Sequence, residues 1–226
     1  LTVVAILALL AGLLFPALAG AKGKSRSIVC GNHLSQMGKA LAMYEGDSGC
    51  YPGAGQTALA SNMMIKPSED SWTAKITPYL LGSTGVFSCP SYTPFKFGGL
   101  FANAYGYNAN GCAVIGTMEA NLGLGYGAID KKHPLVRVGE VVNPADMIAI
   151  GDLQLPPGVW INVVSPNLQR AMGGLSSLVP SRHNGGANMT FCDGHVENAR
   201  QSRWTEAADR ARRQWNRDHE PHREAW

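Results

Sequence analysis

The sequence predicts an α+β fold: a long N-terminal α-helix, apolar and then amphipathic, packed on a C-terminal antiparallel β-sheet domain with long loops. Three observations predict it. Leu1 to Leu18 is apolar throughout except for Thr2. Beyond the basic, small-residue step AKGKSRS, apolar residues fall at Cys30, Leu34, Met37, Leu41 and Tyr44. Those alternating steps of four and three mark one buried stripe of a helix. Near the other end, SRHNGGANMTFCDGHVE places two short strand-like runs around Asp193-Gly194. That dipeptide favours two-residue hairpin turns because both residues tolerate positive φ.

The 226 residues give room for one sizeable domain plus the helix. We divide them into an apolar helix (1–26), its amphipathic half (27–49), a β-rich domain (50–199) and a basic helical tail (200–226). Charged residues make up 15%, below the roughly 25% of ordinary soluble domains. With 27 glycines, this suits a packed, loop-rich assembly subunit better than a freely diffusing enzyme. The net charge of +3 does not argue for a nucleic-acid partner.

Three readings compete for the apolar run. About 18 apolar residues stand at the lower edge of a membrane span, and Gly12 and Pro16 are poor in a soluble helix but tolerated in a membrane one. Ala17-Leu18-Ala19 resembles the cleavage site of a signal peptide. The run passes into the second helix without loop-like composition, however, which favours a retained segment. A simple anchor would leave Lys22, Lys24 and Arg26 on the side that positive charge marks as cytoplasmic.

Further along, Asp47-Ser48-Gly49 ends the helix, with Gly49 as a left-handed cap. Residues 51–70 read as loop. Ser71-Trp72 opens a short helix or turn running to Leu81. The glycines from Gly111 to Gly127 predict a long surface excursion. Strand-like runs return at Pro134 to Val138, at Met147 to Asp152 (a buried strand ending in a carboxylate) and at Val159 to Val164. Asn188 to Cys192 and His195 to Asn198 are the strands of the hairpin. In the tail, Thr205 is expected to cap a helix carrying the i,i+4 pairs Glu206–Arg210 and Asp209–Arg213. Trp204 and Trp215 are expected to dock on the domain, and Pro221 ends the run. His219 and His222, with Asp218 and Glu220, have ligand-like residue types, but a proline divides the two histidines.

The five cysteines are Cys30, Cys50, Cys89, Cys112 and Cys192. None is at CxxC spacing, so no zinc-ribbon pattern is present. Disulfides are open to a chain in an oxidising compartment, and the odd number leaves at least one thiol unpaired or shared between subunits. The spacing does not choose the connectivity.

Several segments carry a resemblance. Phe15-Pro16-Ala17-Leu18, the basic step to Arg26, Cys30-Gly31-Asn32-His33-Leu34-Ser35-Gln36, YEGDSGCYP from Tyr44, Phe87-Ser88-Cys89-Pro90, Tyr105-Gly106-Tyr107-Asn108 and His183-x9-Asp193-Gly194 bracket most of the chain. Together they resemble type IV pilins and type II secretion pseudopilins, and more narrowly the pilin-like proteins common in planctomycetes and verrucomicrobia. The glutamate and methylated first residue of that group are absent, and the resemblance implies that Leu1 lies about six positions inside the family's mature start.

The resemblance implies a structural subunit of an extracellular type IV pilus-like or pseudopilus filament, and no enzyme. The partners it implies are further copies of the chain in a helical homopolymer and, before polymerisation, the inner membrane and the pilus or secretion assembly machinery. The location would be the inner membrane first, then the cell surface or a periplasmic pseudopilus. Val3, Ile6, Leu9, Leu10, Leu13, Leu14 and Phe15 would pack the filament core, and Gly12 and Pro16 would let the helix bend or melt locally. Two alternatives remain: a minor pseudopilin of a type II secretion system, or a membrane-anchored binding domain that never polymerises.

Candidate chemistry is thin. His183, Asp193, His195 and Asp152 include His/Asp pairs of the kind that move protons or hold metal. No serine or cysteine sits in a nucleophile elbow and no cofactor loop accompanies them. Structural roles for His183, Asp193 and Gly194 are the expectation, with Asp193 bonding within its own turn and His183 locking its loop to the sheet. No cofactor is required. Calcium is the cation left open, because related pseudopilins carry it, and Asp47, Asp152 and Asp193 are its oxygen-rich candidates.

Overall fold

The structure is a computed structural model, and it describes residues 2–55, 69–92, 96–97, 100–101, 104–112, 122–125, 134–155, 163–166 and 177–225. The apolar and amphipathic segments form one helix, α1 (Thr2–Ser48), of 47 residues, about 70 Å long at 1.5 Å per residue. It runs unbroken through Pro16, whose missing N–H deprives the Gly12 carbonyl of its i+4 donor. Gly49 closes it in the left-handed region (φ 70°), donating its N–H to the Glu45 carbonyl at 2.8 Å, as a C-terminal cap requires. The stripe is as expected at Cys30, Leu34, Met37 and Leu41, all buried, with Ala40 added. Tyr44 is half-buried and meets Tyr79 edge-on.

Ser71 caps the short α2 (Trp72–Ile76), its hydroxyl accepting from the Ala74 N–H. A 3-10 turn (Thr77–Leu80) follows directly. β1 (Lys96–Phe97) and β2 (Leu100–Phe101) form a small antiparallel ribbon. The main sheet has four antiparallel strands in sequence order: β3 (Tyr105–Tyr107), β4 (Ile148–Asp152), β5 (Gly186–Phe191) and β6 (Val196–Arg200). The fold is therefore α+β, with α1 against one face of the sheet.

The other face carries the tail. α3 (Gln201–Thr205) and α4 (Asp209–Trp215) set Trp204 and Trp215 into a second core with Ile148, Ala187, Met189 and Phe191. Along β5 the two cores alternate, as a strand's period of two demands. Ala187, Met189 and Phe191 face the tail, while the Thr190 methyl reaches Gly38 of α1 and Cys192 joins the α1 core. β4 breaks the alternation. Ile148 belongs to the tail core, yet both Ala149 and Ile150 belong to the α1 core, because the register shifts between Ile148 and Ile150, as at a β-bulge.

Several local expectations change. The hairpin turn is one residue longer than a two-residue loop: Thr190 pairs with Val196, Gly194 N–H bonds the Phe191 carbonyl at 2.9 Å, and Gly194 (φ 88°) alone takes a positive φ. A turn followed by a left-handed glycine is the three-residue solution. Thr205 ends α3 instead of capping a helix, its hydroxyl donating back to the Gln201 carbonyl at 3.1 Å. Asp209 pairs with Arg212 and Arg223, not Arg213. His222 lies between Asp218 and Glu224, and His219 lies 3.6 Å from Asp146. Pro134 to Val138 contributes one bridge, Arg137 to Cys50, before a 3-10 turn. Of Val159 to Val164, only Val163 and Val164 are described, Val163 bridging Tyr107. Most of the glycine-rich stretch 111–127 also lies outside the described residues. Gly111 and Cys112 are described, and Leu122 to Gly125 returns to the domain, with Leu124 N–H bonded to the Asn108 carbonyl at 2.8 Å.

Candidate functional site: the lock between α1 and the sheet

Along its amphipathic half, α1 is held by residues of the sequence motifs. Gly38 allows the closest approach. A Cβ there would lie 2.7 Å from the Thr190 methyl and 3.2 Å from Gly194 Cα, so the Asp193-Gly194 turn sits directly on the helix backbone. One end of α1's docked part repeats the device: a Cβ on Gly23 would lie 2.7 Å from Asn184 Oδ1. Between them, Cys30 forms a disulfide with Cys89, the His33 Nδ1–H donates to the Ser88 carbonyl at 3.0 Å, and Asn198 donates to the Ser27 hydroxyl at 3.4 Å. The disulfide closes a sequence separation of 59, which chain-entropy reasoning values at about 4 kcal/mol.

Behind the disulfide lies a buried ionic cluster. Asp152 ends β4 and is wholly buried. Its Oδ1 accepts from Arg182 Nη2 at 3.1 Å, and its Oδ2 accepts from the Asn188 backbone N–H at 2.7 Å and from Asn188 Nδ2 at 3.1 Å. His183 Nε2 stands 3.2 Å from the same Oδ2 and 3.7 Å from Cys89 Sγ. Burial alone would raise the Asp152 pKa. The hydrogen bond from His183 and the Arg182 charge outweigh it, and the carboxyl is held below its ordinary value. Arg182 also donates to the carbonyls of Leu153 at 2.9 Å and Ala104 at 2.7 Å and stacks over Tyr92. One guanidinium thus ties the approach to β3, the exit of β4 and the Asp152 side chain together. His183 is placed by paired backbone bonds to Gly186, 3.1 and 3.2 Å long. The left-handed Asn184 and Gly185 (φ 56° and 84°) make that tight loop.

A second polar group lies farther along α1. Burial pushes the Glu45 carboxyl up to about 8 against a hydrogen bond from Tyr51, and one of its oxygens has no hydrogen-bond partner. Burial also raises Cys192 and Tyr51. Their chemistry is that of inert core groups.

The structure sorts the sequence candidates as follows. His183 joins Asp152. Asp193 and Gly194 serve the turn on α1, where Asp193 Oδ1 accepts from the His195 N–H at 3.1 Å and faces His195 Nδ1 at 2.6 Å. Asp47 accepts from the Tyr79 hydroxyl at 2.8 Å. The three carboxylates proposed for calcium do not converge: among the described residues, the one group of donors close enough to share an ion holds Asp152 and neither of the others. Cys50, Cys112 and Cys192 are free. Sequence reasoning gave Arg182, Asn188 and Glu45 no role of their own. For Arg182 the signal was its position beside His183, in a segment otherwise poor in charge.

The apolar half of α1 is the second functional feature. Val3, Ile6, Leu9, Leu10, Leu13, Leu14 and Phe15 are each more than half exposed, Phe15 at 70%. Nothing lies within 4 Å of a Cβ built at Gly12 or Gly20. This stretch is long and apolar enough to cross a membrane. Comparison with family models, with curated proteins and with solved structures returns no match.

Proposed function

We propose that this chain is a structural subunit of a type IV pilus-like or pseudopilus filament. The first residues of α1 hold it in the inner membrane and then pack with their copies in the filament core. The observation that carries the reading is the contrast along α1. Ten large apolar side chains from Val3 to Leu18 are exposed, on the same continuous helix whose following half is covalently and sterically fixed to a folded domain. Covering those side chains is worth on the order of 15 kcal/mol, so water is not their working environment. The resemblance of the motifs to pilin-like proteins supports the same reading. The His183–Asp152 pair faces a disulfide and a guanidinium, an arrangement that fastens and offers no nucleophile.

The test is Leu9→Asp or Leu13→Asp. Each puts a charge in the covered segment, which costs roughly 3 kcal/mol at the centre of a membrane. We expect no filaments on the cell surface while the thermal midpoint of the domain is unchanged. Normal filaments from these variants would sink the proposal. A detergent-solubilised monomer with a ligand of its own would favour the anchored binding domain, and a few copies per filament the minor pseudopilin.

A further inference from the structure

The disulfide and the ionic cluster behind it share one set of donor atoms. Cys30 Sγ, Cys89 Sγ, His183 Nε2 and a carboxylate oxygen of Asp152 all lie within 4.8 Å of one another, and all four residues are buried. They come from four separate segments: α1, the stretch after Phe87, the end of β4 and the loop before β5. His183 Nε2 is 3.2 Å from Asp152 Oδ2 and 3.7 Å from Cys89 Sγ. Donors on one tetrahedral ion with bonds of about 2.0–2.3 Å stand roughly that far apart.

We propose that these residues have a second, metal-bound state: once the disulfide is reduced, the Cys30 and Cys89 thiolates, His183 Nε2 and Asp152 Oδ2 hold one zinc-class divalent cation. Two thiolates, an imidazole and a carboxylate suit a borderline-soft ion with no demand for six ligands. The outer shell around Asp152 is already built, whereas His183 Nδ1 is buried without a hydrogen-bond partner. Arg182 fixes Asp152 Oδ1, and the Asn188 N–H bonds Oδ2, the kind of support that orients ligating carboxylates. Charge also closes. Two thiolates and Asp152 against a divalent ion leave one negative charge, which the adjoining Arg182 offsets. The disulfide form is balanced by the same Asp152–Arg182 pair. Cys89 is buried between the exposed Ser88 and Pro90.

The chemistry balances with a two-electron reductant of the phosphine or dithiol class. A phosphine attacks one sulfur and the S–S bond breaks. Water supplies the oxygen of the phosphine oxide and the two thiol protons, and binding the cation releases those two protons. A disulfide oxidant reverses the cycle, re-forms the Cys30–Cys89 bond and expels the ion. The proposal does not rest on the filament reading.

The experiment uses the full chain in detergent micelles, reduced with a water-soluble phosphine and titrated with cobalt(II). We expect one equivalent to give a thiolate-to-cobalt charge-transfer band and the visible bands of a tetrahedral site, both bleached by zinc. Cys30→Ser should weaken zinc binding at least about 100-fold, beyond the effect of losing an outer-shell group. Cys50→Ser should leave it unchanged, and the oxidised chain should bind no cobalt. Absence of the bands from the reduced chain, or bands undiminished in Cys30→Ser, would overturn the proposal. So would a reduced chain that unfolds by circular dichroism and is not refolded by cobalt, because only the fold brings the four ligands together.

Discussion

The two halves of α1 share one continuous backbone and have opposite surroundings. From Val3 to Leu18 every large apolar side chain is exposed. From Gly23 to Leu41 the helix is notched by glycines against Asn184 and Gly194, tied by a disulfide and buried along one stripe at Cys30, Leu34, Met37, Ala40 and Leu41. The composition of each half explains the difference. The first is apolar all round, so no face is preferred and a large common environment is needed to cover it. The second has one stripe and two small residues facing the sheet, which suits one neighbour of matching shape. One helix continuous across both halves joins the domain to the apolar end.

The comparison breaks most severely at Asp152. Asp152→Ala strands the largely buried Arg182 without its anion and should cost roughly 3–5 kcal/mol, read as the shift in a denaturant unfolding midpoint. The apolar half should remain helical in detergent by circular dichroism. Gly38→Val is next. It drives a branched side chain into Thr190 and the Gly194 backbone and should cost about 2–3 kcal/mol, measured in the same way. An unchanged midpoint would show that α1 is not seated on the hairpin turn.

A smaller effect is set by pH. The unfolded chain releases the Glu45 proton near 4.5, whereas the folded chain keeps it up to about 8. The folded state therefore binds more protons across that window, and stability falls as pH rises through it. Glu45→Gln should remove this slope and gain stability at pH 8, with much less change at pH 5 in paired thermal melts. Asp152 has the opposite sign. Its carboxyl is held below the ordinary value, so its contribution is complete above the unfolded pKa and is lost as pH falls through the folded one. The smallest effect lies on the free half. Gly20→Ala meets nothing within 4 Å and should gain up to about 1 kcal/mol of local helix stability, seen as slower amide exchange from residue 17 to 24 and not as a change in the domain's midpoint.

Much of this contrast was legible in the sequence. The period of Cys30, Leu34, Met37 and Leu41 announced the buried stripe, the even hydrophobicity before it announced the free half, and Asp-Gly announced the hairpin. The pairing of Cys30 with Cys89 was not legible, because it depends on where the chain after Phe87 crosses α1. The role of Asp152 was visible only as a carboxylate ending a buried strand. What makes it a lock is the return of Arg182, His183 and Asn188 some thirty residues later, and such long-range convergence leaves no local period. The three-residue hairpin turn was missed for a local reason: Asp-Gly fits both turn lengths, and the Thr190–Val196 register decides between them. The tail was misjudged at Thr205 because a threonine before an acidic residue resembles a cap, whereas docking of Trp204 ends one helix there and starts another.

The most direct test of the account is electron cryo-microscopy of surface-sheared material from cells making this chain. The account predicts a helical filament with residues 2–18 of α1 bundled at its centre, the sheet domain outside, and the Cys30–Cys89 bond holding each domain to its own helix. Membrane-embedded monomers with no filament in the sheared fraction would contradict it.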